Sequence, residues 1–418
     1  MKCGLLGEKL SHSFSPQIHS MIDNYEYRLY EVPPEELGEF LNSGDFDALN
    51  VTVPYKKAVI PYLSSMTDRA AAIGSVNVIT RDADGGLVGD NADYGGFMSL
   101  VKKSGIRVKE EKVLVLGSGG ASKTVRAVLS HMGAGEIVVI SRSGENNYDN
   151  ISRHADCGVI VNTTPVGMYP DNGKSPLPLD GFPDLCGVID IIFNPLKTAL
   201  VLDAEDRGIR AVGGLHMLVS QAIGSAEMFT GKKYAHGLCG EIERRISGQN
   251  KNVVLIGMPG CGKTVIGRRL AASLGREFID IDREIELAAG KTIPQIFEED
   301  GEEEFRRIET ECCRAAGKKC GCVISCGGGV VTRSENRDPL RQNGTIVYLI
   351  RSLDALATKN RPLYKTHTAA ELSAEREPLY RAWADVKMLN TGIGPTVASL
   401  KSFLHLKKSD SREGKAEK

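Results

Sequence analysis

The sequence has almost no net charge and no long apolar run. Its 418 residues include 52 basic and 53 acidic side chains, so the formal net charge is −1. This balance gives no indication of a polyelectrolyte partner such as nucleic acid. No apolar stretch approaches the roughly 18 residues that a membrane-spanning helix needs, and residues 1–13 lack the apolar core of a signal peptide. We therefore expect a soluble, cytoplasmic protein that does not bind membranes, and the sequence leaves its oligomeric state unknown.

Cysteine is plentiful, but it lacks the spacing of metal ligands. Five of the ten cysteines fall within residues 312–326, and no pair in the chain has the C-x-x-C spacing. No histidine lies in that stretch to complete a zinc site. We expect reduced thiols, as is usual for a cytosolic protein, and neither disulfides nor a metal site built from these cysteines.

Strand-like apolar runs alternate with helical stretches along the whole chain. The clearest runs are 112–117, 136–141, 158–164, 252–257 and 345–350. This alternation predicts an α/β architecture with mostly parallel sheets, and the length allows two or three domains.

Two polar stretches divide or end the chain. Residues 239–251 are polar and punctuated by glycine, which predicts a linker between domains. Residues 406–418 are nearly free of apolar side chains, so we expect a disordered tail.

A first glycine-rich loop follows the run 112–117. Gly117 and Gly119 occupy the first two positions of a G-x-G-x-x-G motif, and Ser122 replaces the third glycine. The first glycine permits a tight turn, and the second lets the backbone approach a pyrophosphate at a helix N-terminus. The next strand-like run completes a βαβ unit, which favours dinucleotide binding over an ordinary strand-to-helix turn.

The end of that second run indicates which dinucleotide binds. It reads Ser141-Arg142-Ser143, where an NAD-binding unit usually has an acidic residue. A guanidinium between two hydroxyls suits a 2′-phosphate, because it can form bidentate charge-assisted hydrogen bonds. We therefore predict NADPH, and the alternative is that Arg142 is only a solvated charge at a strand end.

Polar constellations upstream of the loop carry a family resemblance. SHSFSP (11–16), NVTVPYK (50–56) and GDNADYGG (89–96) are each common turn sequences when taken alone. Together with GSGGA (117–121) and further motifs, in this order, they resemble the shikimate dehydrogenase family over residues 1 to about 238. The further motifs are GSVN (74–77), NTTPVGM (162–168) and MLVSQ (217–221).

The resemblance implies an activity, a fold and a set of site residues. The activity is NADPH-dependent reduction of 3-dehydroshikimate to shikimate, on the route to chorismate and the aromatic amino acids. The implied fold is an α/β substrate domain (1–100, with a returning helix near 222–238) and a Rossmann NADP-binding domain (101–221). Lys56 would be the acid that protonates the ketone oxygen, with Asp93 as its partner. The implied binding residues are Ser13, Ser15, Thr52, Asn77, Asp93 and Gln221 for the substrate, and Gly117, Gly119, Gly120, Ala121, Ser141, Arg142 and Ser143 for the cofactor.

Three positions depart from the family pattern. Ala92 and Val78 stand where the family usually has threonine, and Phe193 stands where it has tyrosine, in a D-x-x-Y-x-P segment. We expect the missing tyrosine hydroxyl to weaken substrate binding by about 1 kcal/mol and to shift the preference among shikimate-like acids. The proposed acid–base pair is retained.

A second glycine-rich loop, GMPGCGKT (257–264), matches G-x-x-x-x-G-K-[ST] in full. In this motif the backbone N–H groups hold phosphates, the lysine neutralises the transferring group, and the threonine can ligate Mg²⁺. The cofactors predicted from this loop are therefore ATP and Mg²⁺. The guanine-specific motif N-K-x-D is absent from the sequence, which favours ATP over GTP.

The segments after the second loop resemble shikimate kinase over residues 252–405. They are FIDIDREIE (278–286), GEEEFRRIE (301–309), CGGGVV (326–331), NRPLY (360–364) and EREPLYRAWAD (375–385). The resemblance implies a P-loop domain of the nucleoside monophosphate kinase type with a parallel sheet. It also implies roles for eleven residues: Asp282, Arg306, Gly328 and Arg376 for shikimate; Gly257, Gly260, Gly262 and Lys263 for phosphates; Arg361 on a lid; and Thr264 and Asp280 for Mg²⁺. Asp282 and Lys263 would take part in catalysis with Arg361.

The two resemblances together imply a bifunctional enzyme that makes shikimate and then phosphorylates it to shikimate 3-phosphate. Two alternatives stay open at this point. One is an NAD-linked quinate/shikimate dehydrogenase joined to the kinase. The other is a non-catalytic regulator that senses metabolites through the same folds.

Overall fold

The computed structural model describes residues 1–10, 13–356 and 368–405. The chain forms two compact units, Met1–Ile246 and Ser247–Lys418. The predicted lid residue Arg361 and the tail 406–418 lie outside the described residues. Within those residues, no helix is long and apolar enough to cross a membrane.

The first unit begins with a mixed six-stranded sheet. Its strands are β1 (Lys2–Gly7), β2 (Glu26–Glu31), β3 (Ala48–Val51), β4 (Ser65–Met66), β5 (Val78–Arg81) and β6 (Leu87–Asp90), in the order β2-β1-β3-β5-β6-β4. The helices of this part are α1 (Ser15–Ile22), α2 (Leu37–Ser43), α3 (Asp68–Ile73) and α4 (Asp93–Ser104). β1 pairs in parallel with β2 and β3, whereas β5 is antiparallel to β3 and β6.

The second sheet of this unit is entirely parallel. It contains β7 (Lys112–Leu116), β8 (Glu136–Ile140), β9 (Val159–Asn162), β10 (Gly187–Asp190) and β11 (Arg210–Val212), in the order β11-β10-β9-β7-β8. Its helices are α5 (Gly120–His131), α6 (Ala199–Asp206) and α7 (Leu215–Thr230). Side chains alternate along β7, so that Val113 and Val115 belong to one apolar core, and Leu114 and Leu116 to another. The three strands predicted here are confirmed, and the chain order reverses beside β7, which is where ligands bind in open α/β sheets.

The stretch predicted to be a linker is instead a helix, α8 (Leu238–Asn250). Ile242 and Ile246, four residues apart, share one face of it and are buried against Ile18, Leu215 and their neighbours. This packing stabilises a helix that the glycines at 240 and 248 would otherwise disfavour. The two compact units divide within α8, after Ile246.

The second unit is built on a parallel five-stranded sheet. Its strands are β12 (Asn252–Ile256), β13 (Phe278–Asp280), β14 (Val323–Ser325), β15 (Gly344–Ile350) and β16 (Val386–Leu389), in the order β13-β14-β12-β15-β16. Its helices are α9 (Lys263–Leu274), α10 (Ile281–Ala289), α11 (Ile293–Glu299), α12 (Gly301–Lys318), α13 (Arg337–Arg341), α14 (Ala369–Trp383) and α15 (Ile393–Phe403). The central strand β12 leads directly into the second glycine-rich loop, and the strands predicted for β12 and β15 are confirmed.

Candidate active sites

A cavity of about 210 Å³ opens in the first unit. All seven residues predicted to bind or act on the dehydrogenase substrate line it: Ser13, Ser15, Thr52, Lys56, Asn77, Asp93 and Gln221. They come from different elements, because the turn after β3, the start of α4 and the middle of α7 converge at one place. A small concave site with several convergent polar groups suits a small polar ligand.

An ion pair dominates one wall of this cavity. The Nζ atom of Lys56 lies 2.6 Å from Oδ2 of Asp93, and the two side chains are only 19% and 10% exposed. Asp93 is the first residue of α4, and the amide N–H of Ala92 before it donates to Oδ1 of Asn77 at 2.7 Å. The carboxylate therefore holds the ammonium in place, and the ammonium can donate a proton to an oxygen in the cavity.

The amide side chains are held by neighbouring groups. Asn77 is 3% exposed, and its oxygen is already used by the Ala92 amide. Nε2 of Gln221 donates to the carbonyl of Leu218 at 3.0 Å. A Cβ atom on Gly96 would lie 2.9 Å from Cβ of Gln221, so only glycine lets α4 and α7 approach closely beside the cavity.

Several cavity residues were missed by the sequence prediction. Asn50 is the most informative of them, since its Oδ1 accepts from the Tyr27 hydroxyl at 2.8 Å and its Nδ2 donates to Oγ of Ser225 at 2.7 Å. Its place at the start of NVTVPYK was a signal that could have been used. The other missed residues are apolar or glycine and carry no chemical signal: Leu5, Val51, Ile191, Gly214, Met217 and Leu218.

Of the three departures from the family pattern, one reaches the cavity. Phe193 lines the wall, and its ring packs on Phe14 with centroids 5.5 Å apart. Val78 and Ala92 are buried at 0% and 4% exposure, outside the cavity lining. The substitution at 193 is therefore the one that changes the surface offered to a ligand.

Replacing Phe193 by tyrosine should restore a hydrogen bond to the ligand. We expect Phe193→Tyr to lower KM for 3-dehydroshikimate by about fivefold, because a neutral hydrogen bond is worth about 1 kcal/mol. Steady-state kinetics would measure this. Phe14→Tyr is the matched control, since Phe14 packs on Phe193 outside the cavity lining. An unchanged KM in Phe193→Tyr would show that the missing hydroxyl is not a binding determinant.

The first glycine-rich loop runs from the end of β7 into α5. Gly117 has φ +100°, which favours glycine, and a Cβ there would lie 2.9 Å from Oγ1 of Thr163. A Cβ on Gly119 would meet no described atom within 4 Å, and one on Gly120 would lie 3.5 Å from its nearest neighbour. Ala121 lines the substrate cavity. The N-terminus of α5 is thus open to a pyrophosphate and adjoins the cavity, so these residues fit a dinucleotide.

Ser141, Arg142 and Ser143 lie immediately after β8, next to β7 in the sheet. Arg142 and Ser143 are exposed, and Ser141 is half-buried, with its amide N–H donating to the Asn146 carbonyl at 3.2 Å. An exposed guanidinium at this strand end can reach a phosphate on the ribose, which is compatible with NADPH.

The second glycine-rich loop has the backbone geometry of a phosphate cradle. Gly257, Gly260 and Gly262 have φ values of +142°, +82° and +104°. Lys263 is 8% exposed, and its Nζ donates to the carbonyls of Gly257 at 2.7 Å and Met258 at 3.1 Å. The Lys263 ammonium therefore bridges two carbonyl groups of the glycine-rich loop.

Ser325 lies next to both residues predicted for Mg²⁺, Thr264 and Asp280. Asp280 ends β13 and pairs in register with Ser325 at the end of β14. Oγ1 of Thr264 lies 3.5 Å from Oγ of Ser325. A carboxylate and two hydroxyls are oxygen donors of the type that Mg²⁺ accepts, so this set fits the ion together with ATP phosphates.

Buried arginines surround the predicted shikimate site of the second unit. Nη1 of Arg306 donates to Oε2 of Glu309 at 2.7 Å, and both side chains are almost fully buried. Burial raises the pKa of Glu309, and the Arg306 guanidinium opposes that rise. Arg376 is 4% exposed, and its Nη1 has no hydrogen-bond partner among the described residues. Its Nε lies 3.5 Å from Oε1 of Glu375, so Nη1 is the atom of this buried guanidinium that suits an anionic ligand.

Asp282 and Gly328 complete this group. Oδ1 of Asp282 and Oε1 of Glu309 lie 2.8 and 3.0 Å from the position of a Cβ on Gly327, so the two carboxylates face one point. The Tyr380 hydroxyl donates to the carbonyl of Gly328. Glu309 was missed by the sequence prediction, although its spacing of three residues from Arg306 on a helix was a usable signal.

All ten cysteines are free thiols. Cys312, Cys313, Cys322 and Cys326 are buried in the core of the second unit, where burial raises their pKa values. Among the described residues, no group of three or more His, Cys, Asp or Glu side chains is arranged to hold a metal ion.

Comparison with known families gives two matches at different parts of the chain. Residues 5–79 match the family model described as the shikimate dehydrogenase substrate binding domain, and residues 259–404 match the model described as shikimate kinase. These two ranges lie in the first and second compact units, respectively.

Curated relatives match the first part of the chain over most of their own length. The chain is 36% identical over 246 residues to the shikimate dehydrogenase (NADP(+)) of Clostridium beijerinckii, covering 54% of this chain and 90% of that protein. It is 34% identical over 260 residues to the protein of the same name from Methanosphaera stadtmanae, covering 55% of this chain and 91% of the other.

Solved structures agree with this result. A chorismate mutase/shikimate 5-dehydrogenase fusion protein from Clostridium acetobutylicum aligns with TM-score 0.56 at 35% identity, covering 58% of this chain and 96% of that one. Shikimate 5-dehydrogenase from Thermus thermophilus, solved with NADP(H) and shikimate, aligns with TM-score 0.54 at 29% identity, covering 59% and 99%.

Proposed function

Because this chain belongs to the shikimate dehydrogenase family and also carries a shikimate kinase domain, we propose that it reduces 3-dehydroshikimate with NADPH and then phosphorylates the shikimate with ATP and Mg²⁺. The observation that carries the first step is the Lys56–Asp93 ion pair in the cavity wall. The second step is supported by the phosphate cradle at Gly257–Thr264 and the buried arginines of the same unit.

In the reduction, the residues around the cavity would have distinct roles. NADPH, when bound, supplies the hydride to the ketone carbon. We propose that Lys56 donates a proton to the ketone oxygen, where negative charge develops, and that Asp93 orients the ammonium. Ser13 and Ser15 would donate to the substrate carboxylate. Thr52, Asn77 and Gln221 would bind the ring hydroxyls and fix the carbonyl against Lys56.

For the phosphorylation, cationic side chains would bind both reactants. Arg306 and Arg376 would hold the shikimate carboxylate, and Asp282 would accept a hydrogen bond from the attacking ring hydroxyl. Lys263 would stabilise charge on the transferring phosphoryl group, with Thr264 and Asp280 holding Mg²⁺. ATP supplies that phosphoryl group.

A cytoplasmic setting belongs to the same proposal. It is supported by ten cysteines that are all free thiols and by the need for NADPH and ATP as reactants.

Arg142 should set the preference for the phosphorylated dinucleotide. We expect Arg142→Asp to raise KM for NADPH by about ten- to a hundredfold, because a charged hydrogen bond is worth about 1.5–3 kcal/mol. KM for NADH should change little or fall. Kinetics with both dinucleotides would measure this, and Arg153→Asp, at an exposed arginine of the same unit, is the control. A wild-type preference for NADH would favour the NAD-linked quinate/shikimate alternative.

A single assay tests both steps. The purified chain is incubated with 3-dehydroshikimate, NADPH, ATP and Mg²⁺, and the products are identified by mass spectrometry. Shikimate 3-phosphate should form only when both NADPH and ATP are supplied. Shikimate accumulating without its phosphate would refute the second step, and the absence of any turnover would favour a metabolite-sensing regulator.

A further inference from the structure

A buried carboxylate lies between the cavity and the first glycine-rich loop. Asp190, the last residue of β10, is 0% exposed. Its Oδ2 accepts from the Thr198 hydroxyl at 2.6 Å, and its Oδ1 accepts from the Ile192 amide at 3.0 Å and from Nδ2 of Asn162 at 3.1 Å. Burial raises the pKa of Asp190 to about 6, and these three donors oppose the rise. These hydrogen bonds offset the cost of removing the carboxylate from water. An apolar residue at this position would not have that cost.

One arm of this network leads to the cofactor loop. Asn162 is the register partner of Asp190, and its Oδ1 accepts from the Thr164 amide at 3.0 Å and the Thr164 hydroxyl at 2.7 Å. Between them, the Thr163 hydroxyl donates to the Leu116 carbonyl at 2.6 Å, directly before Gly117. The Asn162–Thr164 segment is therefore fixed against the turn of the glycine-rich loop.

The other arm leads to the substrate cavity. The bond from the Ile192 amide fixes the backbone between Ile191 and Phe193, which both line the cavity. Gly214 also lines it, and a Cβ there would lie 2.0 Å from the Ile191 carbonyl oxygen. The backbone after β10 therefore leaves no space for a side chain at position 214. Asp190 fixes the point at which this backbone segment leaves the strand.

We propose that Asp190 is a positioning residue for the reduction, holding the cavity wall and the cofactor loop in a single arrangement. This inference rests on the proposed dehydrogenase function. Asp190 is not among the residues that line the cavity, so it acts through Asn162 and the 191–193 backbone. Hydride transfer needs the two reactants in one alignment, and a displacement of about 1 Å can cost roughly a hundredfold in rate.

The test compares three variants of the full chain. We expect Asp190→Ala to lower kcat/KM for both 3-dehydroshikimate and NADPH by about ten- to a hundredfold. Asp190→Asn should stay within about threefold of the wild type, because its amide oxygen can still accept from Asn162 and Ile192 while its NH₂ group donates to Thr198. Val188→Ala, a cavity-creating change on the same buried strand, should lower Tm without a comparable loss in kcat/KM.

Two further variants keep the test decisive if Asp190→Ala does not fold. Thr198→Val removes one donor to the carboxylate, and Thr198→Ser retains it, so only the valine variant should lose kcat/KM. Equal kinetic losses in Asp190→Ala and Val188→Ala, or no loss in either Asp190→Ala or Thr198→Val, would overturn the positioning role. A wild-type chain without reductase activity would instead refute the proposed function itself.

Discussion

Lys56→Ala should lower kcat for the reduction of 3-dehydroshikimate by about a thousandfold, because it removes both the proton donor and the positive charge beside the developing oxyanion. Among the described residues that line the cavity, no other side chain is cationic, and the nearest partner of Lys56 is the carboxylate of Asp93, 2.6 Å away. Reduction would be followed by the loss of NADPH absorbance at saturating substrate. Phosphorylation of supplied shikimate should keep its wild-type rate, because Lys56 belongs to the first compact unit and the kinase match lies in the second.

The adjacent Lys57 provides a matched control for this prediction. It is exposed and lies outside the cavity lining, so Lys57→Ala should retain nearly full reductase activity. If Lys56→Ala kept more than about a tenth of the wild-type kcat, the general-acid role, which is typically worth a hundred- to ten-thousandfold, would have to be assigned elsewhere.

Lys263→Met should have the opposite pattern, lowering kcat for phosphorylation by at least about a hundredfold and sparing the reduction. Methionine keeps much of the buried aliphatic stem but cannot donate to the carbonyls of Gly257 and Met258, nor neutralise a phosphoryl group. The loss of kcat should therefore have two causes, the missing positive charge and a glycine-rich loop that is held less firmly. Coupled detection of ADP with shikimate as acceptor would measure it.

Lys387 serves as the control in the second unit, because it is an exposed lysine on β16. Lys387→Met should phosphorylate shikimate at close to the wild-type rate. Either Lys56→Ala or Lys263→Met abolishing both reactions would contradict two sites that work independently.

Some of this architecture could be predicted from the sequence because it depends on local patterns. The apolar run 112–116 reads as a buried parallel strand, and the glycines after it permit a turn that few other residues adopt. The family resemblance implies Lys56 and Asp93 as partners, and the structure brings them into contact across 37 positions of sequence.

Other features depend on contacts between residues that are far apart in the chain. Such contacts cannot be predicted from a single sequence. Ile191 and Gly214 line the cavity through backbone proximity, and neither has a distinctive side chain. The carboxylate of Asp190 belongs to the D-x-x-Y-x-P segment, but its contacts with Asn162 and Thr198 appear only once the strands are paired. Helix α8 was predicted to be a linker because its composition is polar, whereas two buried isoleucines hold it in place.

The helical character of α8 bears on how the two activities could be separated by gene fission. Ending the first half before Leu238 would remove Ile242 and Ile246, and would leave the apolar surface that they cover open to water. Ending it after Asn250 would instead deprive the second half of the Gly248 carbonyl, which accepts from Arg276 at 2.5 Å. The two catalytic modules therefore both depend on α8, and a cut within that helix, between Ile246 and Gly248, would leave each set of contacts with its own half.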